Sequence, residues 1–280
     1  MTDATDESVE GHKMPLLDHL IELRRRLLFS VVALFIAFLI AFFFAEFLFN
    51  FLVQPLADIL TQRQGVQGAR RLIFTDLTEV FFTYVKVAFF FGAFVACPIF
   101  LTQIWLFVAP GLYKNERMAL APFLVASPIL FFAGGALVYY LLFPLAWQFF
   151  LGFETPGGNG TLPIELEAKV NEYLSLVMKL IFAFGLSFQL PVIMTLLARV
   201  GLATSKGMAS KRKYAIVGVF VVAAIFTPPD PLSQISLAVP IILLYEVSIF
   251  MAKLVEKKRA EQLEEDEDTG SGTGSDVAKT

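Results

Sequence analysis

The chain has 280 residues, 57% of them hydrophobic, with 31 phenylalanines and a net charge of -3. An apolar share this far above the roughly 45–50% of soluble domains excludes an ordinary water-soluble globule. The small net charge hides a separation: acids gather in residues 261–268, and basic residues cluster beside the apolar runs.

A bilayer core of ~30 Å needs ~20 apolar residues in helical form, and only helices or closed barrels satisfy every backbone group there. Residues 27–47 reach that length with no charge before Glu46, and they lack the strict alternation of a barrel strand. They exceed the ~7–15 residue apolar region of a cleavable signal, and no A-x-A site follows, so a retained first span is expected. The polar stretch 54–71, with Pro55 and Gly65, reads as a loop. Asp76 and Glu79 resemble a capping box opening a span over 80–108, with a kink expected at Pro98. Pro110-Gly111 ends it.

A third span covers 119–142, and 144–151 can extend it. Residues 155–161, rich in Gly and Pro, break the chain. The fourth span, 173–200, contains Pro191, and a basic loop at 206–213 follows. Residues 214–226 number only 13, which at 1.5 Å each reaches ~20 Å, short of the bilayer core. Residues 232–251 carry Pro240. These last two segments form a tight hairpin around Thr227-Pro228-Pro229-Asp230-Pro231, and short, proline-interrupted segments point to a binding site in membrane proteins.

The expected fold is therefore an all-α polytopic membrane protein of six helices, the last two short. Its parts are a cytoplasmic N-terminal arm (1–26) with an amphipathic helix, a transmembrane domain (27–253) and a disordered acidic tail (254–280). One set of loops holds Lys13, Arg24, Arg25, Arg26, Lys114, Arg117, Arg199, Lys206, Lys211, Arg212 and Lys213, with Lys253, Lys257, Lys258 and Arg259 beyond the last span. The opposite set holds Arg63, Arg70, Arg71 and Lys169. The positive-inside rule places both termini in the cytoplasm.

No catalytic set, nucleotide-binding loop or metal motif is visible, so no cofactor and no enzymatic activity are expected. Energy for any transport must come from a membrane gradient or a partner. The single Cys97 lies in an apolar run and reads as a small buried hydrophobe. In the N-terminal arm, Asp18, Glu22 and Arg26 fall at i, i+4 spacing. They form either an intrahelical salt-bridge ladder or, at Glu22, an acceptor for an incoming cation. Glu116 lies in a short turn facing the same compartment. Two carboxylates there suit a pair of guanidinium groups better than lysines, the alternative being that Glu116 only caps a helix or pairs with Lys114. Glu246 is the costliest residue within the spans and marks a functional or interhelical polar site. Gln189 can bond across helices, Lys86 and Lys179 can snorkel or pair, and Thr227 and Gln234 offer bonds to another helix or to the hairpin's own backbone.

From about Pro15 to Lys253 the chain resembles TatC, the multispanning receptor of the twin-arginine translocase. The resemblance rests on His19-Leu-Ile-Glu-Leu-Arg24, Ala109-Pro-Gly-Leu-Tyr-Lys-Asn-Glu-Arg117, Ala183-Phe-Gly-Leu-Ser-Phe-Gln-Leu-Pro191 and Phe226-Thr-Pro-Pro-Asp-Pro231. It implies a curved, glove-like helical wall that admits twin-arginine signal peptides of folded cargo. Glu22 and Glu116 would bind them, with Arg24 and Phe107 supporting. Pro55 and Asp230 match outer-side positions. Implied partners are single-span TatA and TatB proteins docking near Thr227 and Gln234, with self-association in the receptor complex and export driven by the proton motive force. Several family members carry Glu where this chain has Gln189, so a universal proton relay there is not expected. No nucleic acid is involved. Two other classes fit the residues alone: a secondary transporter using Glu246, Gln189 and Lys179 around a small solute, and a membrane scaffold.

Overall fold

The computed structural model describes residues 16–63, 71–108, 121–155, 157–158, 160, 162–227 and 231–271. Ten α-helices are seen among them: α1 (Leu16–Phe43), α2 (Ala45–Arg63), α3 (Glu79–Val108), α4 (Ala121–Leu137), α5 (Phe143–Phe150), α6 (Val170–Ser187), α7 (Leu190–Arg199), α8 (Ser205–Ser210), α9 (Arg212–Phe226) and α10 (Pro231–Ser271). The described residues hold no β-strand, and isolated bridges join Ile73 with Lys169 and Thr155 with Ile164. All backbone pairing needed in lipid is thus made within helices.

Five helical stretches are long and apolar enough to cross a membrane: His19–Phe43, Glu79–Phe107, Pro122–Phe153, Val170–Arg199 and Ser233–Lys258. The third joins α4 to α5 through a π-helical turn, Val138–Leu142, so the extension expected after residue 142 is present. Helix α9 has 15 residues, about 22 Å at 1.5 Å each, and remains shorter than the bilayer core.

Two expectations are corrected. The polar stretch after the first span is helical: α2 runs through Pro55 to Arg63. Leu52, Leu56 and Ile59, spaced four and three apart, are buried, and that apolar stripe outweighs the proline. The capping pair is shifted. Asp76 Oδ1 accepts from Thr78 N at 3.0 Å and from the Thr78 hydroxyl. Glu79 reaches back to Thr75 N at 2.9 Å rather than to residue 76. Helix α10 continues past the last apolar stretch to Ser271. Glu, Gln and Leu of residues 261–265 are strong helix formers.

Glu79 also accepts from Asn171 N at 3.2 Å, 92 residues away, and Ile73 N donates to Ala168 O while Val170 N donates to Ile73 O. Helices α3 and α6 therefore start side by side and run in the same direction. Helix α1 packs antiparallel along α3, so its N-terminus lies at the end where α3 and α7 finish. Glu256 of α10 accepts from Ser205 N and Oγ at 2.6 and 2.5 Å, which brings the last helix back to that same end. The two ends are called here the Phe107 end and the Glu79 end.

Close helix approach depends on small residues, as van der Waals packing in lipid requires. A Cβ on Gly92 of α3 would lie 2.7 Å from the Phe38 Cα of α1, and one on Gly134 of α4 would lie 2.7 Å from the Phe184 carbonyl of α6. The main core gathers toward the Glu79 end from α2, α3, α5 and α6, with Leu52, Val87, Phe143, Leu174 and Phe184 almost fully enclosed. In contrast, Phe29, Phe35, Ile36 and Ile40 of α1 are exposed, the lipid-facing side of a wall one helix thick.

Candidate functional site

At the Phe107 end, the apolar spacing of the N-terminal arm winds His19, Glu22 and Arg26 onto one side of α1, at i, i+3 and i+7. That side meets the last turns of α3. His19 stacks on Phe107 with ring centroids 4.2 Å apart and planes 20° from parallel. One turn away, Arg26 Nη1 donates to Gln103 Oε1 at 3.3 Å. Between these two contacts lies Glu22, half-buried, and Arg26 donates to its Oε1 through Nε at 3.0 Å and through Nη2. Arg26 is fixed further back, since the Ser30 hydroxyl donates to its carbonyl at 3.0 Å.

The ladder's Glu22–Arg26 rung is thus formed, and it reaches across to a second helix. Both Arg26 donors use Oε1, leaving Oε2 of Glu22 for a further donor. Arg24 is exposed and lies roughly 200° around the helix from Glu22 at 3.6 residues per turn, so the two do not converge. Glu116 and Asp230 lie outside the described residues, as does the side chain of Asp18. Pro55 is buried within α2.

A second polar group is enclosed where the fourth span breaks. Helix α6 ends at Ser187 and α7 restarts at Leu190 with Pro191 in its first turn, where a missing N–H costs nothing. Gln189 sits in the break, 4% exposed. It accepts from the Ser127 hydroxyl and donates from Nε2 to Ser127 O at 2.9 Å, and Trp105 Nε1 donates to Ser127 Oγ at 3.4 Å. Gln189 therefore clamps α3, α4 and the α6–α7 joint, as a hydrogen-bonding group that does not ionise.

Glu246, singled out as costly, has a partner. Arg212 at the start of α9 holds it through Nε at 2.7 Å and Nη2 at 2.8 Å, and both side chains are close to half exposed. This bidentate pair joins the start of α9 to α10. Lys86 donates to Asn171 Oδ1 at 2.7 Å. The hairpin polar residues serve their own backbone: Thr227 donates to Ala223 O at 2.9 Å and Gln234 to Phe220 O at 3.1 Å. Glu246, Gln189 and Lys179 are not brought together by these contacts, which leaves the small-solute reading without a shared site.

Sequence reading missed Gln103, Arg212, Trp105 and Ser127 as partners, and His19 as the ring on Phe107. The i+3 spacing of His19 and Glu22 was the one local signal available for any of them.

These features define a polytopic helical membrane protein that presents a carboxylate beside an aromatic pair at one end of its wall. The family model described as Sec-independent protein translocase protein (TatC) matches residues 18–240. The chain is 51% identical over 250 residues to the Sec-independent protein translocase protein TatC of Magnetococcus marinus, covering 89% of this chain and 88% of that one. It is 38% identical over 239 residues to TatC of Escherichia coli K12, covering 85% and 88%. A crystal structure of the twin-arginine translocase receptor TatC superposes with a TM-score of 0.70 at 39% identity, over 85% of this chain and 99% of that one. A further crystal structure of a TatC receptor, in DDM, gives 0.72 at the same identity. The chain belongs to the TatC family. It is a component of a protein translocase and not an enzyme.

Proposed function

We propose that this chain is the signal-peptide receptor of a twin-arginine translocase. Glu22 and Glu116 bind the paired arginines of folded cargo, Phe107 provides an apolar wall, and Arg24 contributes from the exposed side of α1. The observation that carries this reading is the state of Glu22: half-buried between two helices, beside a stacked aromatic pair, it already accepts a guanidinium group. A carboxylate in that setting is shaped for planar, two-pronged donors, which arginine offers and lysine does not.

The basic clusters of the Phe107 end support a cytoplasmic position for it by the positive-inside rule, and with it for both termini, in a cytoplasmic membrane. Single-span TatA and TatB proteins dock near the short α9–α10 hairpin, at Thr227 and Gln234, and receptor copies associate with one another. Assembly around the loaded receptor then moves folded cargo at the expense of the proton motive force.

The test is binding of a twin-arginine signal peptide and its Lys-Lys counterpart to the purified protein in lipid, alongside a Glu22→Gln, Glu116→Gln variant. Preference for the arginine peptide in the unaltered protein, lost in the variant, is expected. Equal binding of both peptides, even with TatB added, would overturn the receptor reading.

A further inference from the structure

At the Glu79 end a cavity of about 510 Å³ opens between α2, α5, the entry to α6 and the C-terminal end of α9. Its rim is apolar, with Leu56, Phe150, Leu176, Ile225 and Phe226. Its polar lining carries two ammonium groups, Lys169 and Lys179, one carboxylate, Glu172, and the hydroxyls of Ser175 and Thr227. Tyr173 also lines it but donates to Leu52 O at 3.1 Å. Trp147 lines it too, with its ring 5.4 Å from that of Tyr173, and Trp147 Nε1 is buried without a hydrogen-bond partner.

Lys179 is the feature that asks for a ligand. It lies nine residues into α6, ~13 Å along the helix at 1.5 Å per residue and within a stretch long and apolar enough to span the membrane. Neither a hydrogen bond nor an ion pair joins it to any other described residue, although Lys86, on the neighbouring α3, is held by Asn171. An unpaired ammonium at that depth is expensive unless an anion or water reaches it. The stem can snorkel toward the headgroups. Alongside, the 15 residues of α9 are too few to keep the bilayer at full thickness, so the headgroup layer dips toward the cavity. Glu172 is two turns away on the same side of α6, beside Lys169, which leaves the inner cation uncompensated.

We infer that this cavity is a binding site for one anionic phospholipid of the leaflet at the Glu79 end. Its phosphodiester sits on Lys179, with Lys169 at the mouth, and the first part of its acyl chains lies against Leu176, Ile225 and Phe226. The inference does not depend on the receptor reading. The uncompensated Lys179 and an apolar rim favour a lipid anion over a free one, since the rim gains only when acyl chains cover it.

The chain has two tryptophans, so Trp105→Phe leaves Trp147 as a fluorescent reporter in the cavity wall. In that background, detergent-purified full-length protein is titrated with short-chain phosphatidylglycerol, short-chain phosphatidylcholine or inorganic phosphate. A Trp147 emission shift with phosphatidylglycerol at roughly fivefold higher apparent affinity than with phosphatidylcholine is expected. Lys179→Gln is expected to remove that difference and Lys179→Arg to keep it. Native mass spectrometry of the protein with its own tryptophans is expected to show one fewer retained phosphatidylglycerol in Lys179→Gln. Equal affinity for the two lipids, an unchanged preference in Lys179→Gln, or an equal response to inorganic phosphate alone would each overturn the inference.

Discussion

Arg26 lays its guanidinium on Glu22, one turn earlier on α1, while its third nitrogen reaches Gln103 of α3. The carboxylate that the receptor reading assigns to cargo is therefore already engaged by an arginine of the chain itself. An incoming guanidinium gains both oxygens of Glu22 only by displacing it. Removing an internal competitor raises the competent fraction and hence the apparent affinity. Arg26→Gln should bind an arginine-pair peptide about two- to fivefold more tightly, the range set by ion pairs of up to ~1 kcal/mol. In a Glu22→Gln background the same substitution should bring no gain. A full cycle of peptide titrations measures this, and weaker binding in Arg26→Gln would show that the pair holds the site open instead.

Gly92 sets how closely α1 lies on α3. With a Cβ there only 2.7 Å from Phe38 Cα, Gly92→Leu must push backbone against backbone. A loss of roughly 1–3 kcal/mol is expected for such overpacking, read as a lower midpoint in thermal unfolding in detergent. Because His19–Phe107 and Arg26–Gln103 span the same two helices, peptide binding should weaken as well.

Gln189 and Ser127 should behave as one unit. Gln189→Leu leaves the Ser127 hydroxyl and carbonyl short of partners inside the wall, at a cost of about 1–3 kcal/mol for a buried polar group left unpaired. Adding Ser127→Ala should recover part of that loss. Additive losses in the double variant would show that the two residues are independent.

The Arg212–Glu246 pair is close to half exposed on both sides, so each single neutral substitution should cost no more than about 1 kcal/mol. Exchanging the two charges should restore it. Export of a twin-arginine cargo is expected to survive Glu246→Gln. Complete loss with the complex still assembled would assign Glu246 a proton-relay role.

Asp76 is held below its usual pKa of 3.8 by the Thr78 backbone N–H, then by the Thr78 hydroxyl. A lowered carboxylate pKa contributes stability that is present above the unfolded value and fades as pH falls through the folded one. The turn ahead of α3 should therefore be unchanged from neutral pH down to about pH 4 and loosen only below it. The Asp76 carboxyl carbon resonance should titrate with a midpoint under 3.8, and Thr78→Val should raise it.

Span lengths carried most of the fold. The shortness of α9 and the break after residue 155 were legible because bilayer thickness and proline or glycine chemistry act locally. Helix α2 was not, because Gln54, Pro55 and Asp58 read as a loop unless the Leu52, Leu56, Ile59 stripe is weighed against them. Within the site, Glu22 stood out as an acid beside basic residues, and its rung with Arg26 followed from spacing. Gln103 did not, lying 77 residues further on, and Arg212, 34 residues from Glu246, was hidden for the same reason. Partners that meet only through packing leave no local period to read.

The carboxylate of Glu79 bridges Thr75 N and Asn171 N, and the latter is synthesised 92 residues after it. Ile73, just ahead of α3, likewise takes its bridge from Lys169, just ahead of α6. The end of α3 is accordingly completed only by residues of the fourth apolar stretch, so the starts of α3 and α6 form one hydrogen-bonded unit although they are far apart along the chain.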